Sequence, residues 1–108
     1  MLLDMINAAQ RIADFKQGMD RQGFLEDPKT QSAILHQLMI LGEACKRLSI
    51  ETRDRAPQIP WRLIAGMRDN LIHEYDDVDL EEIWKTADRD VPALIAELRR
   101  LSGAQEQG

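Results

Sequence analysis

Apolar residues recur at three- and four-residue spacing along most of the chain, the period of helices that each bury one face. Leu2, Met5, Ile6, Ala9, Ile12, Ala13 and Phe15 form the first such stripe, with Asp4, Gln10, Arg11 and Lys16 largely outside it. This predicts a helix from about Leu2 to Asp20. Gly18 and Gly23 weaken the pattern around Met19–Arg21, so a connector is expected there. A second helix is predicted to open at Asp27-Pro28, since Asp is a favoured N-cap and Pro is tolerated in the first turn. It is expected to run to about Arg55. Its apolar residues, Ile34, Leu35, Leu38 to Leu41, Ala44, Cys45 and Leu48, cover more than one narrow stripe. A helix apolar around much of its girth is covered on several sides, and in so short a chain this suggests both its own bundle and a second subunit.

Ala56-Pro57-Gln58-Ile59-Pro60 breaks the helical pattern, because prolines lack the N–H that a helix interior needs. A third helix is predicted from Trp61 to about His73, with Trp61, Ile64, Ala65 and either Leu71 or Ile72 facing inward. Tyr75 to Asp79 reads as a turn, with Asp79 as the next N-cap. Leu80, Ile83, Trp84, Ala87, Val91, Leu94, Ile95, Leu98 and Leu101 then mark a fourth helix, which Pro92 should kink or restart near Asp90. Residues 103–108 read as a polar, frayed tail. No strand-like alternation and no internal repeat occur. The expected architecture is an all-α, up-down four-helix bundle over residues 1–102, with antiparallel neighbours joined by short links.

Composition narrows the class. The 108 residues, 44% hydrophobic and 31% charged, suit one globular domain rather than a disordered chain. At this size an oligomer interface would help the core. No run approaches a membrane span, Met1-Leu2-Leu3-Asp4 does not read as a signal peptide, and a lone Cys45 cannot form an intrachain disulfide. A reduced cytoplasmic setting is the simplest expectation. The net charge of -5 argues against holding long nucleic acid by bulk attraction. It leaves room for a few arginines gathered in one cleft.

Most reactive side chains are scattered. His36 reads as structural or interfacial, and Cys45 as a small buried hydrophobe. With two histidines and one cysteine, no His/Cys zinc site is expected. There is no Gly-rich phosphate loop, and no cofactor is expected. Asp76-Asp77 and Glu81-Glu82 read as solvated turn and helix-start charges.

One run stands apart. Arg68-Asp69-Asn70-Leu71-Ile72-His73-Glu74-Tyr75 brings a permanent cation, an amide, an imidazole and a phenol into eight residues. A histidine can take the proton of a ribose 2′-hydroxyl or give one to a leaving oxygen. An arginine can fork onto a phosphate and stabilise its growing charge. On a regular helix, residues five apart diverge by roughly 140° and about 7.5 Å of rise. Arg68 and His73 would therefore point apart. Either the helix ends near His73, or a two-fold axis completes the site. The bland alternative is that Arg68 pairs with Glu43, Asp76 or another acid while His73 caps a helix end.

The spacing Arg68-x4-His73-x-Tyr75 resembles the Arg-x4-His-x-Tyr signature of HepT-like toxins of the HEPN superfamily. Gly42-Glu43-Ala44, Pro57-Gln58-Ile59-Pro60-Trp61, Ala65-Gly66-Met67, Val78-Asp79-Leu80, Ile83-Trp84 and Asp90-Val91-Pro92 resemble the segments flanking it in that family. The resemblance covers nearly the whole chain. It implies a metal-independent ribonuclease acting as a homodimer with its cleft at the dimer interface, on an RNA such as tRNA or mRNA. It also implies the toxin half of a type VII-like toxin–antitoxin pair. The antitoxin would be a minimal (MNT-type) nucleotidyltransferase that adds AMP to the motif tyrosine. On this resemblance Arg68 and His73 are the catalytic pair and Tyr75 the AMPylation site. Asp69, Asn70 and Glu43 are supporting or substrate-binding candidates. Asp69 departs from the Asn commonest after the arginine, and an acid there could orient Arg68 or reduce its affinity for phosphate. Two alternatives compete: a catalytically idle bundle that binds a nucleotide or a nucleotidyltransferase, and a pair in which toxin and antitoxin roles are reversed.

Overall fold

The computed structural model describes residues 2–107, with side chains throughout except at Tyr75 and residues 104–107. Most of the tail expected at 103–108 therefore lies outside the described side chains. The chain is all-helical, with no strand among the described residues. In order come α1 (Leu2–Lys16), α2 (Arg21–Leu25), α3 (Pro28–Lys46), α4 (Ile50–Asp54), α5 (Trp61–His73), a 3₁₀ turn (Tyr75–Asp77), α6 (Leu80–Lys85), a π-turn (Thr86–Asp90) and α7 (Val91–Gln107). No helix among the described residues is long and apolar enough to cross a membrane.

The first expected helix stops short, with a short helix in the connector expected after it, and the second is divided; local capping explains both. α1 stops at Lys16, and Gly18 adopts φ +74°, a left-handed conformation that glycine takes without a Cβ penalty. Asp20 then caps a new short helix by accepting from the N–H of Gly23. The second break falls at Arg47–Ser49, where the Ser49 hydroxyl accepts from the N–H of Thr52 and starts α4. Elsewhere the punctuation works as written. Asp27 accepts from the Thr30 N–H ahead of Pro28, and Asp79 accepts from the N–H groups of Glu81 and Glu82. Pro92 cannot donate to the carbonyl four residues back, and its ring crowds that carbonyl. The helix answers with a π-turn just upstream, closed by the Val91 N–H donating to the Thr86 carbonyl, rather than with a break.

The core joins the inner faces of all the long helices. Met5, Ala8, Ala9 and Ile12 of α1 are sealed against Ile34, Leu38 and Leu41 of α3 and against Leu98 of α7. Phe24 of α2 lies 5.5 Å from the Trp84 ring of α6, and the Lys16 ammonium sits over that ring. Phe15, expected in the first stripe, is 41% exposed. α3 is flanked by α1, α2 and α5, so its wide apolar girth is covered within the chain. That girth does not by itself require a second subunit. On α5, Leu71 is buried and Ile72 exposed, which settles the inner face. α5 packs chiefly on α3. An open groove of about 700 Å³ separates it from the π-turn and α7, lined in part by Leu63, Met67 and Leu94.

Candidate functional site

The end of α3 and the second half of α5 carry the candidate site. Their approach is set by Gly42. A Cβ at that position would lie 2.5 Å from the Arg68 Cβ and 3.0 Å from the Ile64 carbonyl oxygen. Only a residue without a side chain lets the two helices come this close. The result places Glu43, the next residue on α3, directly beside Arg68.

Arg68 is held from two sides. Its Nε lies 3.0 Å from Glu43 Oε2, and its Nη1 donates to Asp69 Oδ1 at 3.1 Å. Asp69 Oδ1 also accepts from Lys46 Nζ at 2.6 Å. The other oxygen of Glu43 faces Arg47 Nη2 at 3.6 Å. A chain of alternating charges thus runs Lys46, Asp69, Arg68, Glu43, Arg47 across the α3–α5 seam. The Arg68 side chain is about two-thirds buried, so its position is better defined than that of a surface arginine. Its Nη2 donates no hydrogen bond among the described residues. The Lys46 ammonium, and after it the Arg68 guanidinium, hold the Asp69 carboxyl below the usual carboxylate range. Asp69 is therefore charged at neutral pH.

The end of α3 is itself pinned. Arg53 Nη2 reaches back from α4 to the carbonyls of Cys45, Lys46 and Leu48 at 3.2–3.3 Å. The Trp61 indole N–H bonds the Arg53 and Ala56 carbonyls. The otherwise unpaired C-terminal carbonyls of α3 are satisfied, and the turn carrying Lys46 and Arg47 is fixed. Cys45 is fully buried, its thiol donating to the Trp61 carbonyl, and burial pushes that thiol up. It is a packing residue, as its apolar surroundings in sequence suggest.

His73 is the last residue of α5 and is exposed. No hydrogen bond or ion pair joins it to Arg68 among the described residues. Both residues lie on α5, which ends at His73 as one of the two expectations had it, and residues five apart on a regular helix diverge. Asn70 is exposed, and its backbone carbonyl accepts the Glu74 N–H that closes the helix. The Tyr75 side chain lies outside the described residues. His36 is exposed on α3. The structure thus brings together Arg68, Asp69 and Glu43 but not Arg68 and His73. It adds Lys46, Arg47 and Gly42, whose roles the sequence pattern did not single out. Gly42 left a trace: a glycine inside a helix costs about 1 kcal/mol and points to a close approach. Lys46 left none, because its partner Asp69 is 23 residues away.

A family model described as ribonuclease HepT-like matches residues 5–101. The chain is 40% identical over 100 residues to "Probable ribonuclease HepT" of Thermococcus cleftensis, covering 93% of this chain and 91% of the relative. It is 37% identical to a "Putative RNase" of Methanocaldococcus jannaschii, covering 93% and 83%. A chain of the same designation from Caldanaerobacter subterraneus is 39% identical, covering 78% and 75%. No solved structure matches.

Proposed function

The chain belongs to the ribonuclease HepT-like family, and from that premise we propose that it cleaves RNA with Arg68 and His73. The observation that carries this reading is the setting of Arg68. A guanidinium held between two carboxylates, with one terminal nitrogen making no hydrogen bond among the described residues, is oriented without being fully consumed by them. Such a group suits a phosphate whose charge grows during reaction. His73 takes the proton of a ribose 2′-hydroxyl, the 2′-oxygen bonds to phosphorus, the bond to the 5′-oxygen breaks as that oxygen takes a proton from water, and His73 returns its proton to the hydroxide so formed. The products are a 2′,3′-cyclic phosphate and a 5′-hydroxyl. No step needs a metal. Asp69 and Glu43 act as positioning residues, and Asn70 as a substrate contact.

Because Arg68 and His73 point apart within one chain, the working site is completed across a homodimer. The exposure of Ile72 and Leu63 on α5 supports an α5-centred interface, within an up-down four-helix arrangement of each copy. Regulation follows from Tyr75. A minimal nucleotidyltransferase partner joins the tyrosine oxygen to the α-phosphorus of ATP, pyrophosphate leaves, and the phenolic proton is lost. The attached AMP brings an anion beside the motif, occupies the phosphate site and repels RNA. The protein is then the toxin of a cytoplasmic toxin–antitoxin pair.

The test is cleavage of an RNA pool by purified protein. Arg68→Ala and His73→Ala should each lose at least about 100-fold in rate while keeping wild-type circular dichroism. Undiminished cleavage by both variants would refute the assignment. Incubation with the partner transferase and ATP should add one AMP mass, mapped to Tyr75. An unmodified Tyr75 counts against that form of control.

A further inference from the structure

On the far side of Glu43 from Arg68 a second cleft opens between α1 and α3, of about 440 Å³. Its walls are Asn7 and Arg11 of α1 and Ile40, Glu43, Ala44 and Arg47 of α3, with Asp4 also on its lining. None of this belongs to the motif. Yet Glu43 is shared: one carboxylate oxygen faces Arg68 and the other faces Arg47. The cleft and the candidate catalytic arginine are therefore separated by a single carboxylate.

We propose that this α1–α3 cleft is a nucleotide subsite for the RNA that Arg68 acts on, with Arg11 and Arg47 holding a backbone phosphate that flanks the scissile one. The proposal rests on the ribonuclease reading for its substrate class. Arg11 is exposed and has no hydrogen bond or ion pair among the described residues. Among the described residues the Arg47 side chain makes only the long 3.6 Å contact to Glu43, and it is 61% exposed. Ion pairs of that kind contribute little, so a phosphate can displace the contact and take a forked hydrogen bond instead. Ile40 and Ala44 supply an apolar wall for the face of a base or ribose. The Asn7 amide, with both a donor and an acceptor, can meet a polar edge.

Charge is placed to match. The chain as a whole is acidic at -5, yet Arg11 and Arg47 line this cleft, and Lys46 and Arg68 lie on the adjoining α3–α5 seam. Of the nearby carboxylates, Glu43 and Asp69 are engaged with Arg68, and Asp4, also on the cleft's lining, has an interaction of its own. An acidic protein that binds RNA needs such a local concentration of cations, since bulk attraction works against it. Glu43 acts as the partition that keeps the two arginine groups in register.

The experiment reads binding apart from cleavage. A fluorescently labelled single-stranded RNA oligonucleotide is titrated by anisotropy against His73→Ala protein as the reference. Arg11→Ala and Arg47→Ala are added singly and together, and Arg89→Ala, on the π-turn, serves as a control for loss of charge elsewhere. We expect Kd to rise about fivefold for each single variant and more for the pair. The slope of log affinity against log salt should fall by roughly 0.7 per lost phosphate contact. Arg89→Ala should leave that slope unchanged. In the active background, Arg11→Ala should raise KM with kcat within about twofold. Equal Kd and slope in the double variant and the reference would overturn the subsite, as would equal losses in Arg89→Ala. So would absence of RNA binding by the reference. Arginine-dependent binding in a wild-type protein that cuts no RNA would sustain the subsite while removing the catalytic reading.

Discussion

At the scale of single residues, the site depends on one absence and one pair of acids. Gly42→Ala should destabilise the fold by about 1–3 kcal/mol, the usual cost of forcing a methyl into a closed contact. The new Cβ meets the Arg68 Cβ and the Ile64 carbonyl rather than a flexible side-chain end. A shift in urea midpoint with unchanged slope would show it, and a neutral result would mean that α3 and α5 can part freely. Asp69 makes a pH-dependent contribution whose sign is fixed. Its carboxyl is held low by Lys46 and then Arg68, so its stabilising effect is present above the unfolded value of about 4. It is lost as pH falls through the lower folded value. The stability gap between wild type and Asp69→Asn should be present at neutral pH and close in acid. A gap unchanged or wider in acid would contradict the pairing. The motif residues were legible as chemistry in the sequence, and so was the prospect that Arg68 pairs with Glu43. The pairing does not exclude the proposed role, because it orients Arg68 while leaving Nη2 without a hydrogen bond among the described residues.

At the scale of elements, caps and breakers were the most readable feature. Asp27-Pro28, Pro60-Trp61 and Asp79-Leu80 each mark a helix start that the chain uses. Asp79→Ala should cost about 1 kcal/mol, as loss of an N-cap does, and hydrogen exchange should quicken in α6 before other helices. Uniform exchange would show that the cap matters little. The break within the second expected helix was harder to foresee. Apolar residues stand on both sides of it, at Leu48 and Ile50, so periodicity joins what the Ser49 cap separates, whereas Gly18 already marked a connector after the first helix. The answer to Pro92 was legible as a disturbance but not as its form. A π-turn keeps the helix continuous by widening a single loop of its hydrogen-bond ladder, and nothing in the composition of Thr86–Asp90 announces it.

At the scale of the whole molecule, an all-helical chain brings Arg11, Lys46, Arg47 and Arg68 to the α1–α3 cleft and the adjoining α3–α5 seam despite an acidic total. That grouping is a tertiary property, drawn from α1, α3 and α5, and no linear pattern carries it. The homodimer proposed to complete the site makes its own prediction. If Arg68 of one copy works with His73 of the other, mixing inactive Arg68→Ala and His73→Ala proteins should restore about a quarter of wild-type cleavage. Half the dimers are then mixed, and each holds one intact site. Failure to recover activity, with mixed dimers shown by native mass spectrometry, would place both residues in a site within one copy. Beneath this lies the claim that Arg68 and His73 cut RNA at all. The most direct measurement is the rate at which wild-type, Arg68→Ala and His73→Ala proteins convert a labelled RNA to fragments ending in a 2′,3′-cyclic phosphate. Rapid conversion by the wild type and at least about 100-fold slower conversion by both variants is the predicted result. Equal rates in all three folded proteins would contradict it.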